Sequence, residues 1–546
     1  MIGILHGYLL EGSGSNIWTR AIVRSLCRNG ETVHLICQEN HPENYDFIAE
    51  CHYYLDDDSV ETRLNREVPY KGKCIMHKPQ LGDTLPVYVW DKYEEFSNVV
   101  PMIELPNAAI EAYIERNTKI LLKIIKNYGL TSLHVNHAVL MSVVAQKVYD
   151  ITSIPFAIMP HGSAIEYALK KDKRFLDLAT IAFGSAKKIF VVSEEMKNRL
   201  SSVFPSLPDV NQKMTRLNLG VDTSMFKPIL PELRHDNIEK LCQRLETVSR
   251  GKDSTQSNIL HKNIDSDSKL LELGKIVSST TDYQVKYPDV DIEHKLKKID
   301  WAHDKIILFV GRLIASKGIQ SIIAALPLVF HQHKDAKMII VGHGPLREIM
   351  EIFLWALEND EKKLVEMIIA GGKSLEGNTN DDSSFKEMVS FYKQLEKNNE
   401  LVGYFEKARK NINSDRVIFT GYLDHEELRY LYPCCDVAVF PSIVMEAGPL
   451  VFLEAIASGC FPLGTYFGGM AKSIDSVSDK LSKEDAELMK ISTNNDKMLF
   501  DIAKKIDGAL LLDGKYRFNL SERTKELYDW SSVGKKISLE LSSMNK

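Results

Sequence analysis

The sequence predicts an α/β protein made of two doubly wound, Rossmann-like halves, and three observations carry that prediction. Short apolar, β-branched runs alternate with longer stretches of helical periodicity, the pattern of parallel strands joined by crossover helices. Several of these runs end directly in Gly, Pro or His, as at the carboxyl edge of such a sheet, where ligands bind. The scheme occurs twice, on either side of a polar stretch at residues 228–302.

In the first half the strand candidates are Ile2–Gly7, Thr32–Cys37, Pro86–Trp90, Ser132–Asn136, Phe156–Pro160, Lys188–Ser193 and Met214–Leu219. Helical periodicity is clearest in Asn107–Lys126 and Glu194–Val203. Residues 228–302 are polar and lack strand alternation, so they read as a helical or partly disordered insertion. The second half gives strand candidates Lys305–Val310, Lys337–Gly342, Arg416–Gly421, Val437–Pro441 and Phe461–Gly464. A second polar stretch near residues 371–387 reads as a surface insertion among its helices. Asp529 or Ser531 is placed to cap a last, separate helix. The expected organisation is a first domain over 1–222 completed by a C-terminal helix at about 525–546, a linking insertion at 228–302, and a second domain over 303–520.

Composition narrows the function. The 546 residues are 44% hydrophobic and 26% charged, enough for sizeable cores, and the net charge is −6. That balance argues against a partner held by phosphate neutralisation, so no nucleic acid is expected. The eight cysteines show no Cys-x-x-Cys pair and no zinc spacing, so they read as free thiols of a reducing compartment. The N-terminus carries no signal-peptide pattern and no run approaches ~20 apolar residues. The expectation is a cytoplasmic protein, with peripheral contact at the inner face of a membrane left open. Asp56-Asp57-Asp58 contains a metal-like Asp-x-Asp spacing but reads as a solvated turn, so no metal is expected.

Two segments point to chemistry. In Phe440–Gly459 a buried strand ends in a turn, and a helix then begins near Gly448 and Pro449. Proline suits a first helical turn, and the free N–H groups of a helix start attract anions. Glu446 lies before that helix and Glu454 about two turns inside it, past Leu450. A carboxylate in the apolar run 450–457 needs a polar partner. In Phe309–Ile319, Gly311 and Arg312 follow a strand, and Lys317 and Gly318 precede a helix. Arg offers phosphate a fork and Lys a point charge.

The first segment resembles the Glu-x7-Glu signature of glycosyltransferase family 4, retaining enzymes of the GT-B fold, including the preceding Pro-Ser and the following Glu-Ala-x-Ala-x-Gly. The resemblance covers residues 1–222 loosely and 303–475 well. It implies two Rossmann-like domains facing a central cleft, with the C-terminal helix crossing back to the first. It places the donor sugar on Glu446, the ribose on Glu454 and the diphosphate on Arg312 and Lys317. Gly342, His343 and Gly344 resemble the loop over which the base lies, and Tyr422 and Leu423 the loop that reads its edge. Gly468 and Gly469 match a glycine pair near the cleft. In the first half, Gly12 and Gly14 resemble the family's glycine-rich loop, and His161 its cleft histidine. Where the family usually has Gly-Phe-Gly-Leu or Pro-Phe-Gly-Leu, this chain has Ala447, Gly448, Pro449 and Leu450. No cofactor is implied: the donor is a nucleoside diphosphate sugar, with UDP or GDP as the nucleotide, and the acceptor is a sugar, a lipid-linked sugar or a small metabolite. A GT-B epimerase or phosphorylase, or a non-catalytic nucleotide-sugar binder, is the competing reading.

Overall fold

The computed structural model describes residues 1–11, 14–82, 84–88, 96, 98–252, 287–376, 383–445 and 448–545. The chain forms two compact units. The first holds Met1–Gly220 together with the residues from Leu527 on, and the second holds Val221–Glu526.

The strands of the first unit are β1 (Ile2–Leu5), β2 (Thr32–Ile36), β3 (Ile48–Tyr54), β4 (Val60–Asn65), β5 (Lys73–Pro79), β6 (Thr84–Val87), β7 (Asn98–Pro101), β8 (Ser132–Asn136), β9 (Phe156–Met159), β10 (Lys188–Val191) and β11 (Met214–Arg216). Among the described residues nine of them form one sheet in the order β11-β10-β9-β8-β1-β2-β5-β3-β4, while β6 and β7 pair separately. Every pairing in the large sheet is parallel except β3 with β4. Alternate strand residues enter separate cores: Leu5, Ile36 and Val135 on one side, Ile4, Leu35 and Met76 on the other. This two-faced burial follows from the period-2 alternation of strand side chains.

The second unit has β12 (Lys305–Val310), β13 (Ala336–Val341), β14 (Val417–Gly421), β15 (Val437–Phe440), β16 (Phe461–Thr465) and β17 (Lys490–Ile491). They form a parallel sheet in the order β14-β13-β12-β15-β16-β17. In both units the order reverses beside the first strand, which opens a crevice at the carboxyl edge. This is the α/β architecture of two Rossmann-like domains seen in GT-B proteins.

The structure differs from the sequence reading in three regions. The strand expected at Pro86–Trp90 is observed at Thr84–Val87, and residues 89 and 90 lie outside those described. Strands β3, β4 and β5 escaped notice because their polar residues break the apolar pattern. In β5, His77 is buried by hydrogen bonds to His34 and Tyr54, each at 2.9 Å, and β4 is an exposed, charged edge strand. The described ends of the 228–302 segment belong to the second unit. Helix Arg234–Leu245 is tied there by ion pairs of Arg234 with Asp436 and of Arg244 with Glu427; residues 253–286 lie outside the described residues.

The last helix, Trp530–Ser543, is capped by Asp529, whose carboxylate accepts from the N–H of Ser531 at 2.8 Å. It packs on helix Gly14–Arg28 in the first unit, burying Val533, Ile537 and Leu541 with Ile22 and Leu26. Gly534 faces Ser25, whose Oγ lies 2.3 Å from where a Cβ would stand. All eight cysteines are free thiols. No helix among the described residues is long and apolar enough to cross a membrane.

Candidate functional site

Three loops at the carboxyl edge of the second sheet meet at one cavity of about 170 Å³. Gly311 and Arg312 follow β12, Gly342 and His343 follow β13, Tyr422 and Leu423 follow β14, and Glu454 closes the floor; all seven line it. The loops are stitched by backbone bonds: Gly311 N to Val341 O at 3.0 Å, Gly342 N to Gly421 O at 2.9 Å, and Leu313 N to His343 O at 2.8 Å. Gly342 is required by this closeness, since a Cβ there would stand 1.8 Å from the carbonyl oxygen of Gly311. At Gly344 a Cβ would meet Leu313 O at 2.5 Å. The rings of His343 and Tyr422 meet edge to face, 5.5 Å apart.

Glu454 sits in helix Leu450–Ala457, one turn in rather than two, because the helix starts at Leu450 with Pro449 as its N-cap residue. Gly448 lies just ahead, half-buried. The Glu454 carboxylate is 5% exposed. Its two oxygens face His425 Nε2 at 3.0 Å and the Tyr432 hydroxyl at 3.4 Å, which offsets the cost of burying it. His425 and Asp424 also line the cavity, and the sequence reading missed both. Asp424 and Glu427 form a reciprocal capping box at the start of helix His425–Leu431. Burial and the neighbouring Asp424 carboxylate push Glu427 up to about 7. The signal for this group was in the sequence, as an Asp three residues before a Glu after a strand.

Arg312 is exposed, and Lys317 is half-buried in the turn Ala315–Lys317. Gly318 follows with φ of 75°, where a Cβ would stand 2.0 Å from the carbonyl oxygen of Pro441. The N–H of Ile443 donates to Ser316 O at 2.8 Å. The loop bearing the two cations is thereby fastened to the strand-end segment that leads to Glu446. Glu446 itself lies outside the described residues, as does Gly12.

In the first unit, β9, β8 and β1 are neighbours, and each is followed at its carboxyl end by a histidine: His161, His137 and His6. His161 Nε2 lies 3.0 Å from Asn136 Oδ1. Its ring is 4.9 Å from that of His137, which in turn lies 5.8 Å from His6. His6 bonds to Asn16 at 3.1 Å and Thr19 at 3.2 Å. Burial, reinforced by the neighbouring imidazoles, lowers His161 to about 3; burial lowers His6 to about 4 and holds His137 well below its usual value. These rings are therefore neutral at pH 7 and able to donate from one nitrogen and accept on the other. His137 is 2% exposed, and neither ring nitrogen has a partner among the described residues. Only His161 was singled out from the sequence; a histidine after three adjacent strands was the missed signal. Gly14 opens its helix with no atom within 4 Å of its would-be Cβ, so no packing demands glycine there. Asp58 of the acidic triplet is paired with Arg116 and Lys119.

Solved structures share the fold. The catalytic domain of starch synthase IV from Arabidopsis thaliana, bound to ADP and acarbose, superposes over 100% of this chain and 99% of its own with a TM-score of 0.51 at 10% identity. Anabaena HepE in complex with UDP gives 0.50 at 13% identity, covering 99% of each chain. A glycosyltransferase of Rickettsia africae gives 0.50 at 14%, over 100% of this chain and 98% of its own. In sequence, an uncharacterized glycosyltransferase of Methanocaldococcus jannaschii is 26% identical over 171 residues, 31% of this chain and 30% of that relative, so the chain matches under a third of the relative's length. Residues 291–525, which carry the cavity and the Arg312–Lys317 loop, match the family model described as glycosyl transferases group 1.

Proposed function

We propose that this protein is a retaining glycosyltransferase that moves a hexose from a nucleoside diphosphate sugar, held by the second unit, to an acceptor held by the first. The observation that carries the reading is the second-unit cavity, where a buried carboxylate, Glu454, and an exposed guanidinium, Arg312, share one wall-to-wall space. A carboxylate accepts from both vicinal hydroxyls of a ribose, and His425 and Tyr432 hold Glu454 in place for it. The base lies against His343 and Tyr422, with Leu423 and Gly342 beside it. The diphosphate meets Arg312 and Lys317 and the helix start at Gly448, Pro449 and Leu450. These positive groups matter most as the diphosphate leaves, when its negative charge grows. In this reading Glu446 serves the transferring sugar, and His161, Gly12 and Gly14 are the residues the first unit contributes. The acceptor attacks from the face that the diphosphate leaves. Two solved neighbours hold a nucleoside diphosphate, UDP in one and ADP in the other, which agrees with such a ligand here; UDP or GDP is the nucleotide proposed. A reducing, cytoplasmic setting suits eight free thiols.

Incubation with a panel of UDP- and GDP-hexoses and a pool of sugar acceptors tests this. The expected result is acceptor-dependent release of the nucleoside diphosphate with the anomeric configuration kept in the product. Conversion of the donor sugar without acceptor would instead make the protein an epimerase.

A further inference from the structure

The polar stretch at residues 371–387, which the sequence presents as a surface insertion, is tied to the loop that carries Arg312 and Lys317. Its described parts include a short turn, Gly372–Glu376, and the start of helix Lys386–Lys397. Backbone bonds close the stretch on itself: Lys373 N donates to Ser383 O at 3.0 Å, and Phe385 N to Ile369 O at 3.2 Å. Leu375 and Phe385 are buried, so apolar burial as well as hydrogen bonding fixes it in place.

Two carboxylates of this stretch reach the cation loop. Glu376 accepts from the N–H of Ala315, the first residue of the turn Ala315–Lys317. Ile314 precedes that turn and its side chain cannot cap it; Glu376, 61 residues away in sequence, supplies the acceptor instead. Glu387, 3% exposed, accepts from Gln320 Nε2 at 2.9 Å and from the Ser321 hydroxyl at 3.1 Å. Both partners stand in the first turn of helix Ile319–Gln332, where negative charge is favoured. Gln320 Nε2 donates as well to Ala315 O at 3.0 Å. Ala315 is thus held at its N–H by Glu376 and at its C=O by a side chain that Glu387 orients. The cations are chained to this residue: Ile314 N donates to Arg312 O, and Lys317 N to Ile314 O, each at 3.0 Å.

We infer that Glu376 is a positioning residue of the diphosphate site: by capping the turn at Ala315 it keeps Lys317 in register with Arg312. The inference rests on the reading of these two cations as the diphosphate site. Glu376 acts through the backbone of residues 312–317 and not by touching substrate. A turn of three residues has few bonds of its own and loosens when its first N–H loses its acceptor. The cost then falls on the diphosphate, which needs both cations placed in advance. The base and ribose meet other loops and are spared.

Two measurements on the full chain test it. Hydrogen exchange, read by mass spectrometry on peptides spanning residues 312–318, reports on the clamp without ligand. Exchange there is expected to quicken in Glu376→Ala and to stay near the natural rate in Glu376→Gln, which keeps an oxygen to accept the bond. Calorimetry then compares UDP, GDP and ADP with uridine, guanosine and adenosine. In Glu376→Ala the diphosphate that binds the natural chain should lose about tenfold in affinity, the effect of one hydrogen bond to a charged group, while its nucleoside binds as before. Glu376 is half-buried, and the melting temperature serves as the folding control. Glu376→Gln should recover most of the lost affinity. Unchanged exchange in Glu376→Ala, an equal loss for nucleoside and diphosphate, or a Glu376→Gln variant as weak as Glu376→Ala overturns the proposal. A natural chain that binds none of the diphosphates sinks the diphosphate reading and this assignment with it, while the exchange result separately decides whether Glu376 holds the turn.

Discussion

Glu446 and Glu454 stand eight residues apart in the sequence, and the proposed reaction gives them different work. Glu454 is held by His425 and Tyr432 at the floor of the cavity and is proposed to bind ribose, which the reaction leaves unchanged. Glu454→Gln should therefore weaken donor and product nucleotide alike. Glu446 is proposed to face the sugar, whose ring gains positive charge as its bond to phosphate breaks, so Glu446→Gln should lower kcat more than it raises KM. Steady-state kinetics of both variants separates the two. Arg312→Ala and Lys317→Ala should each cost about 1.5–3 kcal/mol in transition-state binding, roughly ten- to 150-fold in kcat/KM, with melting temperature unchanged. The histidines of the first unit add a pH dependence. His6 and His134 are lowered by burial to about 4, and His161 to about 3, against about 6.5 in the unfolded chain. The unfolded state thus binds more protons below that pH. Their contribution is fully present above pH 6.5 and is lost as pH falls toward 4, at up to ~1.4 kcal/mol per pH unit for each ring. Urea midpoints measured from pH 7.5 to 5 should fall, and His134→Phe should make the fall shallower; an unchanged slope in that variant would refute the assignment.

Two glycines show how an element carries a site. Gly318, at φ of 75° and against Pro441, joins the Arg312–Lys317 turn to helix Ile319–Gln332. Gly318→Ala should destabilise by about 1–3 kcal/mol from backbone strain alone, and more from the clash. Gly14 has open space around it, so Gly14→Ala should leave the urea midpoint unchanged while lowering activity, if a ligand approaches there; full activity would remove Gly14 from the site. The sequence made the strand-turn-helix units of the second unit legible because their strands are buried on both faces and read as unbroken apolar runs, such as Lys305–Val310. It hid β3 to β5, where His52, His77 and Lys78 interrupt the pattern, and where tertiary hydrogen bonds decide burial. The seven predicted residues around the second-unit cavity were found through motif and spacing. Asp424 carried only the local signal of a helix cap three residues before Glu427, whereas the meaning of His425 and of the His6–His137 pair arises only when distant strands become neighbours.

At the scale of the whole molecule, a chain of two similar units is interrupted by residues 228–302, whose composition marked them as separable. The described ends of that stretch bind the second unit through Arg234 and Arg244, and Asp289 is buried against Arg347 at 2.8 Å. Removing one partner of a buried pair costs about 3–5 kcal/mol. Deletion of the whole of 228–302 should therefore unfold the second unit, while replacing 253–286 alone with a short flexible linker should leave nucleotide affinity within a few-fold; circular dichroism and calorimetry distinguish the two. The central claim is that the second-unit cavity holds a nucleoside diphosphate through Glu454 and Arg312. The most direct measurement is the Kd of UDP, GDP and ADP for the natural chain and for the Glu454→Gln and Arg312→Ala variants. One nucleotide should bind the natural chain, and each substitution should weaken it tenfold or more without lowering the melting temperature. Binding that is equal in all three proteins, or that none of the nucleotides shows, would contradict the claim.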